Sequence, residues 1–232
     1  TSSNTLLSSF NVIFIKVLEI FSGTQSISKE FRKAGHETFT VDFNEIFKAP
    51  DYEQTDLFID VLQLTPEMIL EKFGRPDVIW ASPDCTSYSI AAISHHRIKE
   101  EDGNLAPKSD YAKFCDKVNQ HMLNLIKEIN PTYFFIENPR GGMRKMNFMK
   151  DLPRHTITYC QYGDSRMKPT DIWTNHHNPQ FKPMCKNGDP CHVAAPRGSK
   201  TGTQGLKNAI ERSRIPKEFC QHIVKICEDG IK

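Results

Sequence analysis

Asp77-Val-Ile-Trp-Ala-Ser-Pro-Asp-Cys85-Thr-Ser-Tyr-Ser89 is the stretch on which the fold turns. Val78, Ile79, Trp80 and Ala81 form a short apolar run bounded by Pro76 and Pro83. A run of this length and without helical period reads as a buried central strand of a parallel sheet. Ligands of such sheets sit beyond the carboxyl ends of the strands, and that is where Cys85 falls. Pro83 limits the freedom of the turn before it, so the thiol is presented as a nucleophile would be. The same pattern also suits a buried structural cysteine, because free cysteine is among the most buried residue types.

Outward from that strand the chain alternates strands and helices. Val12 to Phe21 is an apolar run ending at Ser22-Gly23, and Gln25 to Lys33 follows with Ile27, Phe31 and Ala34 at helical spacing. Thr38 to Val41 reads as a second strand with Asp42 at its tip, and Leu57 to Ile59 as a third, closed by Asp60. Thr65 caps a helix through Phe73, with Pro66 at its first position and Glu67 in its first turn. Beyond Cys85, Thr86 to Ser109 is polar and aperiodic, which predicts a long loop, mobile without substrate, that closes as a lid. Tyr111 to Ile129 carries Phe114, Val118, Met122, Leu125, Ile126 and Ile129 at the period of an amphipathic helix. Thr132 to Ile136 reads as a fifth strand, delivering Glu137-Asn138-Pro139-Arg140-Gly141-Gly142 at its end. Arg154 to Cys160 and Thr170 to Thr174 read as two more strands, Asn175 to Gly205 has no period, and Pro216 to Ile226 returns as a last helix. The pattern predicts an α/β fold with a doubly wound, mostly parallel sheet and a small irregular basic insertion. The expected divisions are 1–174 for the main domain, 175–211 for the insertion and 212–232 for the returning helix.

Composition narrows the classes. The chain has 232 residues, 38% of them hydrophobic and 25% charged, which is ordinary for a globular domain with a real core. No apolar run approaches the length of a membrane span, so no membrane partner is expected. Thr1 to Ser9 lacks the basic start of a signal peptide and reads as a linker. Seven scattered cysteines make no disulfide framework and point to a reducing, cytosolic setting. Net charge is only +2, yet Arg140 to Lys217 holds 15 Lys+Arg against 5 Asp+Glu, so the rest of the chain is acidic. That segment is either a polyanion-binding surface or a solvated basic loop region. Within it, Cys185-x5-Cys191-His192, with His176 and His177 upstream, raises a structural zinc site. The spacing is not a Cys-x2-Cys form and reads rather as unlinked loop residues, so no metal ligand is assigned.

The order Phe21-Ser22-Gly23, Asp42, Asp60, Ser82-Pro83-Asp84-Cys85, Glu137-Asn138, Arg166-Met-Lys168 resembles the motif series of the cytosine-C5 methyltransferases that use S-adenosylmethionine, and small bacteriophage-type members most of all. The resemblance covers roughly residues 16 to 174, with a weaker tail at 212 to 226. It implies a methyltransferase fold acting on cytosine in double-stranded DNA, in the cytoplasm of a bacterial or virus-infected cell. It implies that Cys85 adds to C6 of a flipped base, that Glu137 hydrogen-bonds N3 and the exocyclic amine, and that Asn138 fixes the strand ends. Arg166 and Lys168 match the basic pair beside the base. On the cofactor side it implies Phe21 against the adenine, Ser22, Gly23 and Thr24 in the turn that meets the methionine end, Asp42 on the ribose, Asp60 on the adenine amine, and Pro83 nearby. The chain departs from the family pattern at Thr24, Gln25 and Ser26, where more glycine is usual, and at Asp84, an acid beside the thiol. A carboxylate pointing inward there opposes thiolate formation, whereas one turned away caps the turn. The extended Ser-Pro-x-Cys turn also suits a tRNA cytosine methyltransferase. A catalytically silent nucleic-acid-binding relative is the alternative from outside catalysis.

Overall fold

At the centre of the molecule lie two strands that are apolar on both faces except at Lys16 and Glu19 of the first, as expected of buried parallel pairing. The computed structural model describes residues 12–196, 206 and 208–232, so Thr1 to Ser9, Lys200 and Lys207 lie outside the described residues. β1 (Lys16–Ile20) pairs with β4 (Val78–Ala81), Leu18 facing Ile79 and Ile20 facing Ala81. Before β4 come α1 (Ser26–Lys33), β2 (Glu37–Asp42), β3 (Leu57–Phe58) and α2 (Pro66–Lys72). After it come α3 (Ile93–His96), β5 (Arg97–Lys99), β6 (Leu105–Pro107), α4 (Asp110–Ile129) and β7 (Tyr133–Pro139). β8 (Arg154–Thr158), β9 (Pro169–Thr174), α5 (Ala209–Ser213) and α6 (Lys217–Gly230) complete the described elements.

Seven strands form one sheet in the order β3-β2-β1-β4-β7-β9-β8, parallel except where β9 runs against β7 and β8. This is the doubly wound, mostly parallel α/β sheet that the alternation predicted. The strand order reverses direction between β1 and β4, which opens the crevice where such sheets take their ligands. Alternate residues of a strand face opposite sides, so one run feeds two cores. Leu18, Ile20, Ile79, Ala81 and Ile136 pack with Met122 and Leu125 of α4, while Val17, Val78, Trp80 and Phe135 pack with Phe31 of α1 and Phe219 of α6.

The structure differs from the sequence reading in three places. Thr86 to Ser109 is not a structureless loop. It holds a 3-10 turn at Thr86–Tyr88, then α3 and the β5–β6 hairpin. The α4 stripe holds from Val118 to Ile129 but begins at Cys115, which is buried, and not at Phe114, which is 46% exposed, because Cys115, Val118, Met122, Leu125 and Ile129 keep the 3-4 spacing that faces the sheet. β7 runs on to Pro139, so Glu137 and Asn138 stand inside the sheet, opposite Ile172 and Asp171 of β9. Residues 175–196 contain no helix or strand.

Candidate active site

The turn after β1 is built from residues in the left-handed region: Phe21 at φ 57°, Gly23 at φ 50° and Gln25 at φ 60°. Two of these are not glycine, an uncommon concentration, and a carboxylate holds the turn. Asp42 Oδ2 accepts from Gly23 N at 2.8 Å, and its Oδ1 accepts from Phe43 N and Asn44 N at 2.7 Å each, tying the tips of β1 and β2 together. Ser22 Oγ is buried with no partner among the described residues. Thr24 Oγ1 lies 3.3 Å from Ser26 Oγ. Asp60 caps the turn after β3, its Oδ1 accepting from Leu62 N at 2.9 Å, which leaves Oδ2 for a ligand. Phe21 packs partly buried against the core, whereas Phe43, 64% exposed, is the bare ring at this edge. Sequence reasoning passed over Phe43, although an aromatic residue directly after a strand-tip acid was the available signal. A cavity of about 410 Å³ lies alongside, lined by Phe47, Tyr52, Thr55 and Phe58. A Cβ on Gly23 would stand 3.6 Å from the Phe47 ring. These strand tips can hold a cofactor that offers hydroxyls to Asp42 and a flat ring to the aromatic wall.

Across the crevice, Trp80 Nε1 donates to Ser82 Oγ at 2.8 Å and Asn138 Nδ2 donates to the Pro83 carbonyl at 3.0 Å, so β4 itself and the neighbouring β7 fix the turn before Cys85. Asp84 Oδ1 accepts from Thr86 N at 2.6 Å, which caps the 3-10 turn that begins at the cysteine. Cys85 itself is half-buried. Burial pushes its thiol up, the charges of Asp84 and Glu137 push it further, and Lys168 opposes them. Asp84 therefore both caps the turn and acts on the thiol. Glu137 is buried, and burial raises its carboxyl toward the protonated form against the pull of Lys168, Ser82 and Tyr159. Tyr159 Oη donates to Glu137 Oε1 at 3.3 Å. Lys168 Nζ donates to the Arg212 carbonyl at 2.6 Å and stands 4.9 Å above the Tyr159 ring. Burial lowers the Lys168 amine, with Glu137 and Cys85 working the other way. A thiol, a carboxyl, a phenol and an amine thus come together around the ends of β4, β7, β8 and β9. Arg166 is placed differently. Its guanidinium is held by Asp164 at 2.6 and 2.9 Å and donates to the carbonyls of Arg212 and Arg214, so its donors serve the fold.

What holds the Cys85 turn was invisible in the sequence. Arg97 is buried, forms a two-pronged pair with Asp116 at 2.7 and 3.0 Å, and donates to Ser87 O, Ser87 Oγ and Leu105 O. Its guanidinium lies 4.2 Å from the Tyr88 ring, whose hydroxyl also bonds Asp116. From the β7 side, a Cβ on Gly141 would come within 2.7 Å of the Tyr88 carbonyl, and one on Gly142 within 2.8 Å of Ile93. Only glycine lets the strand of Glu137 and the turn of Cys85 approach this closely.

No family model matches the chain. A curated relative, described as a probable DNA (cytosine-5)-methyltransferase of Frog virus 3 (isolate Goorha), is 25% identical over 237 residues, covering 92% of this chain and all of its own. This chain is similar to the cytosine-C5 methyltransferases. Among solved structures, the Entamoeba histolytica methyltransferase EhMeth matches with a TM-score of 0.50 at 15% identity, over 70% of this chain and 52% of that one. The S. pombe Dnmt2 methyltransferase matches at 0.46 and 14% identity, over 70% of this chain and 49% of that one. The chain spans about half the length of these solved structures, and the likeness to them is one of fold.

A concavity of about 780 Å³ runs along α4 between Leu62, Lys113, His121 and Phe148 and includes none of the strand-tip residues above. The basic segment is partly used up inside the fold. Arg144 pairs with buried Asp171 and Arg166 with Asp164, while Arg140, Lys145 and Lys150 after β7 stay exposed. Among the described residues no helix is long and apolar enough to cross a membrane. One assignment changes. Cys185, Cys191 and His192 are not unlinked loop residues, because the fold brings Cys160 from the far end of β8 to join them. His176 and His177 are not in that group; His176 packs on Tyr133 instead.

Proposed function

We propose that the chain transfers a methyl group from S-adenosylmethionine to C5 of cytosine in DNA through a covalent bond from Cys85 to C6. The observation that carries this reading is the convergence of the Cys85 turn, Glu137 and Lys168 at adjoining strand ends, tied by Asn138 to Pro83 and by Tyr159 between Glu137 and Lys168, across the crevice from the Asp42-anchored turn. Bound at the tips of β1, β2 and β3, the cofactor supplies an electrophilic methyl group on a sulfonium. Asp42 orients it through hydroxyls, Asp60 Oδ2 accepts from an exocyclic amine, and Ser22 Oγ, otherwise unpaired, has a partner to find there.

C5 of cytosine is a weak nucleophile, and addition of the Cys85 thiolate to C6 makes it a strong one. Glu137, kept toward its protonated form by burial, donates to N3 and so takes up the negative charge as the Cys85–C6 bond forms. Lys168 favours the thiolate by its charge. Once C5 has taken the methyl group and the donor has left as its thioether, loss of the C5 proton to water re-forms the C5–C6 double bond. The C6–sulfur bond breaks to free the Cys85 thiolate, and N3 returns its proton to Glu137. Asn138 and the Arg97 network hold the turn in place through these steps without touching the base. Arg140, Lys145 and Lys150 offer an exposed positive surface for the phosphate backbone. DNA is favoured by the Frog virus 3 relative, a probable DNA (cytosine-5)-methyltransferase. A tRNA substrate is the second reading, on the strength of the extended Ser82-Pro83-Asp84-Cys85 turn.

Labelled cofactor with matched DNA-duplex and tRNA pools decides between them, and the DNA pool is expected to be methylated. DNA carrying 5-fluorocytosine should trap a complex stable to denaturant, because the fluorine at C5 cannot leave as a proton does. The complex is expected to vanish in Cys85→Ala, and one that persists would remove the thiol from the mechanism. Binding without any adduct would identify a silent nucleic-acid-binding relative.

A further inference from the structure

Residues 175–196 make a long connection with no regular structure, the kind that is uncommon in a compact domain unless something fastens it. The fastening is visible. Cys185 N donates to Thr158 Oγ1 at 3.0 Å, Lys182 N to Tyr162 Oη at 2.8 Å, and Val193 N to the Ser165 carbonyl at 2.9 Å. A turn at Lys186 to Asp189, with Gly188 at φ 91°, doubles the chain back so that Cys191 and His192 return over Cys185. Beneath them, the 3-10 turn Tyr159–Tyr162 presents Cys160.

Cys160, Cys185, Cys191 and His192 place their ligand atoms within 4.8 Å of one another. Sγ of Cys160 lies 3.1 Å from that of Cys185 and 3.4 Å from that of Cys191, and His192 Nδ1 is 3.6 Å from both Cys185 and Cys191. A tetrahedral zinc ion with bonds of about 2.3 Å to sulfur and about 2.0 Å to nitrogen has edges of roughly 3.8 and 3.5 Å, so side-chain movements of up to about 1 Å complete the figure. Three thiols and an imidazole are soft donors in the number and type of a closed structural site, and a group of three sulfurs cannot be satisfied by one disulfide.

We propose that these four residues bind one zinc ion that fastens segment 175–196 to the turn carrying Tyr159. Binding releases the three thiol protons and leaves a net charge of −1, which exposed Lys182 and Lys186 on the same segment offset. All four positions are filled by protein, so the ion carries no reactive water. Its role is positional: it steadies the turn from which Tyr159 reaches Glu137.

Elemental analysis of the full chain, purified under reducing conditions, is expected to give about one zinc per chain. Cobalt in its place should give a sulfur-to-cobalt charge-transfer band and tetrahedral visible bands. Cys191→Ser and His192→Ala should lose zinc to a chelator that leaves the parent loaded. Cys191 lies at the surface, so its substitution spares the core, and Cys191→His should retain zinc with a weaker cobalt–sulfur band. Cys227→Ala, outside the group, should keep its zinc. Metal-free protein after refolding with zinc, equal zinc retention in Cys191→Ser, or a Cys160–Cys185 disulfide seen by mass spectrometry in the reduced preparation would each overturn the proposal.

Discussion

Residues 86–109 and 175–196 look alike in the sequence, both polar and both without period, yet they are ordered by different means. The first is folded around a buried cation, with Arg97 satisfied by Asp116, Ser87 and Leu105 and stacked on Tyr88. It gains a 3-10 turn, a short helix and a hairpin. The second has no helix or strand and closes around a group of thiols and a histidine. A stretch that cannot bury an apolar stripe still becomes ordered when it can bury a satisfied polar anchor. The two anchors border the same chemistry, one behind Cys85 and one behind Tyr159.

Removing the first anchor should have the largest effect. Arg97→Met leaves Asp116 buried and unpaired, and a loss of about 3–5 kcal/mol in urea denaturation is expected, with faster proteolysis in 86–109 but not in 175–196. Arg97→Met with Asp116→Leu should recover most of that loss, because both charges are then gone. A single substitution costing under about 1 kcal/mol would mean that the segment does not depend on the pair. Next comes Gly141→Ala, whose new methyl meets the Tyr88 carbonyl at 2.7 Å. Overpacking of this kind costs about 1–3 kcal/mol, and methyl transfer should fall further than stability does, since the displaced group is the Cys85 turn. Unchanged transfer with reduced stability would show that the turn relaxes without moving the thiol.

The smallest effect is expected at Asp84. Its charge raises the Cys85 thiol, so the rate should climb with pH into the alkaline range. Asp84→Asn keeps an oxygen for Thr86 N and removes the charge, which lowers the thiol and moves the profile toward lower pH. A profile that does not move would show that the carboxylate serves the cap alone.

The sheet was legible because its strands are short apolar runs between prolines, glycines and acids, a pattern that depends on nearest neighbours along the chain. Cys85, Glu137, Asp42 and Asp60 were legible as candidates for the same reason, each standing at or next to the end of such a run. The sequence also determined that Gly141 and Gly142 follow Glu137, but not that Tyr88 needs the space. Arg97 beside Asp116 is 19 residues away in the chain, Cys160 beside Cys185 is 25, and Tyr159 beside Glu137 is 22. No local period encodes such pairs. The tertiary structure decided that Arg166 serves the fold, with Asp164 and two carbonyls taking its donors, while Lys168 stands over the ring of Tyr159, whose hydroxyl bonds Glu137. Two bases separated by one residue are equivalent in sequence. Burial separates them, because each buried donor must find an acceptor, and which acceptor lies within reach is set only when distant segments pack.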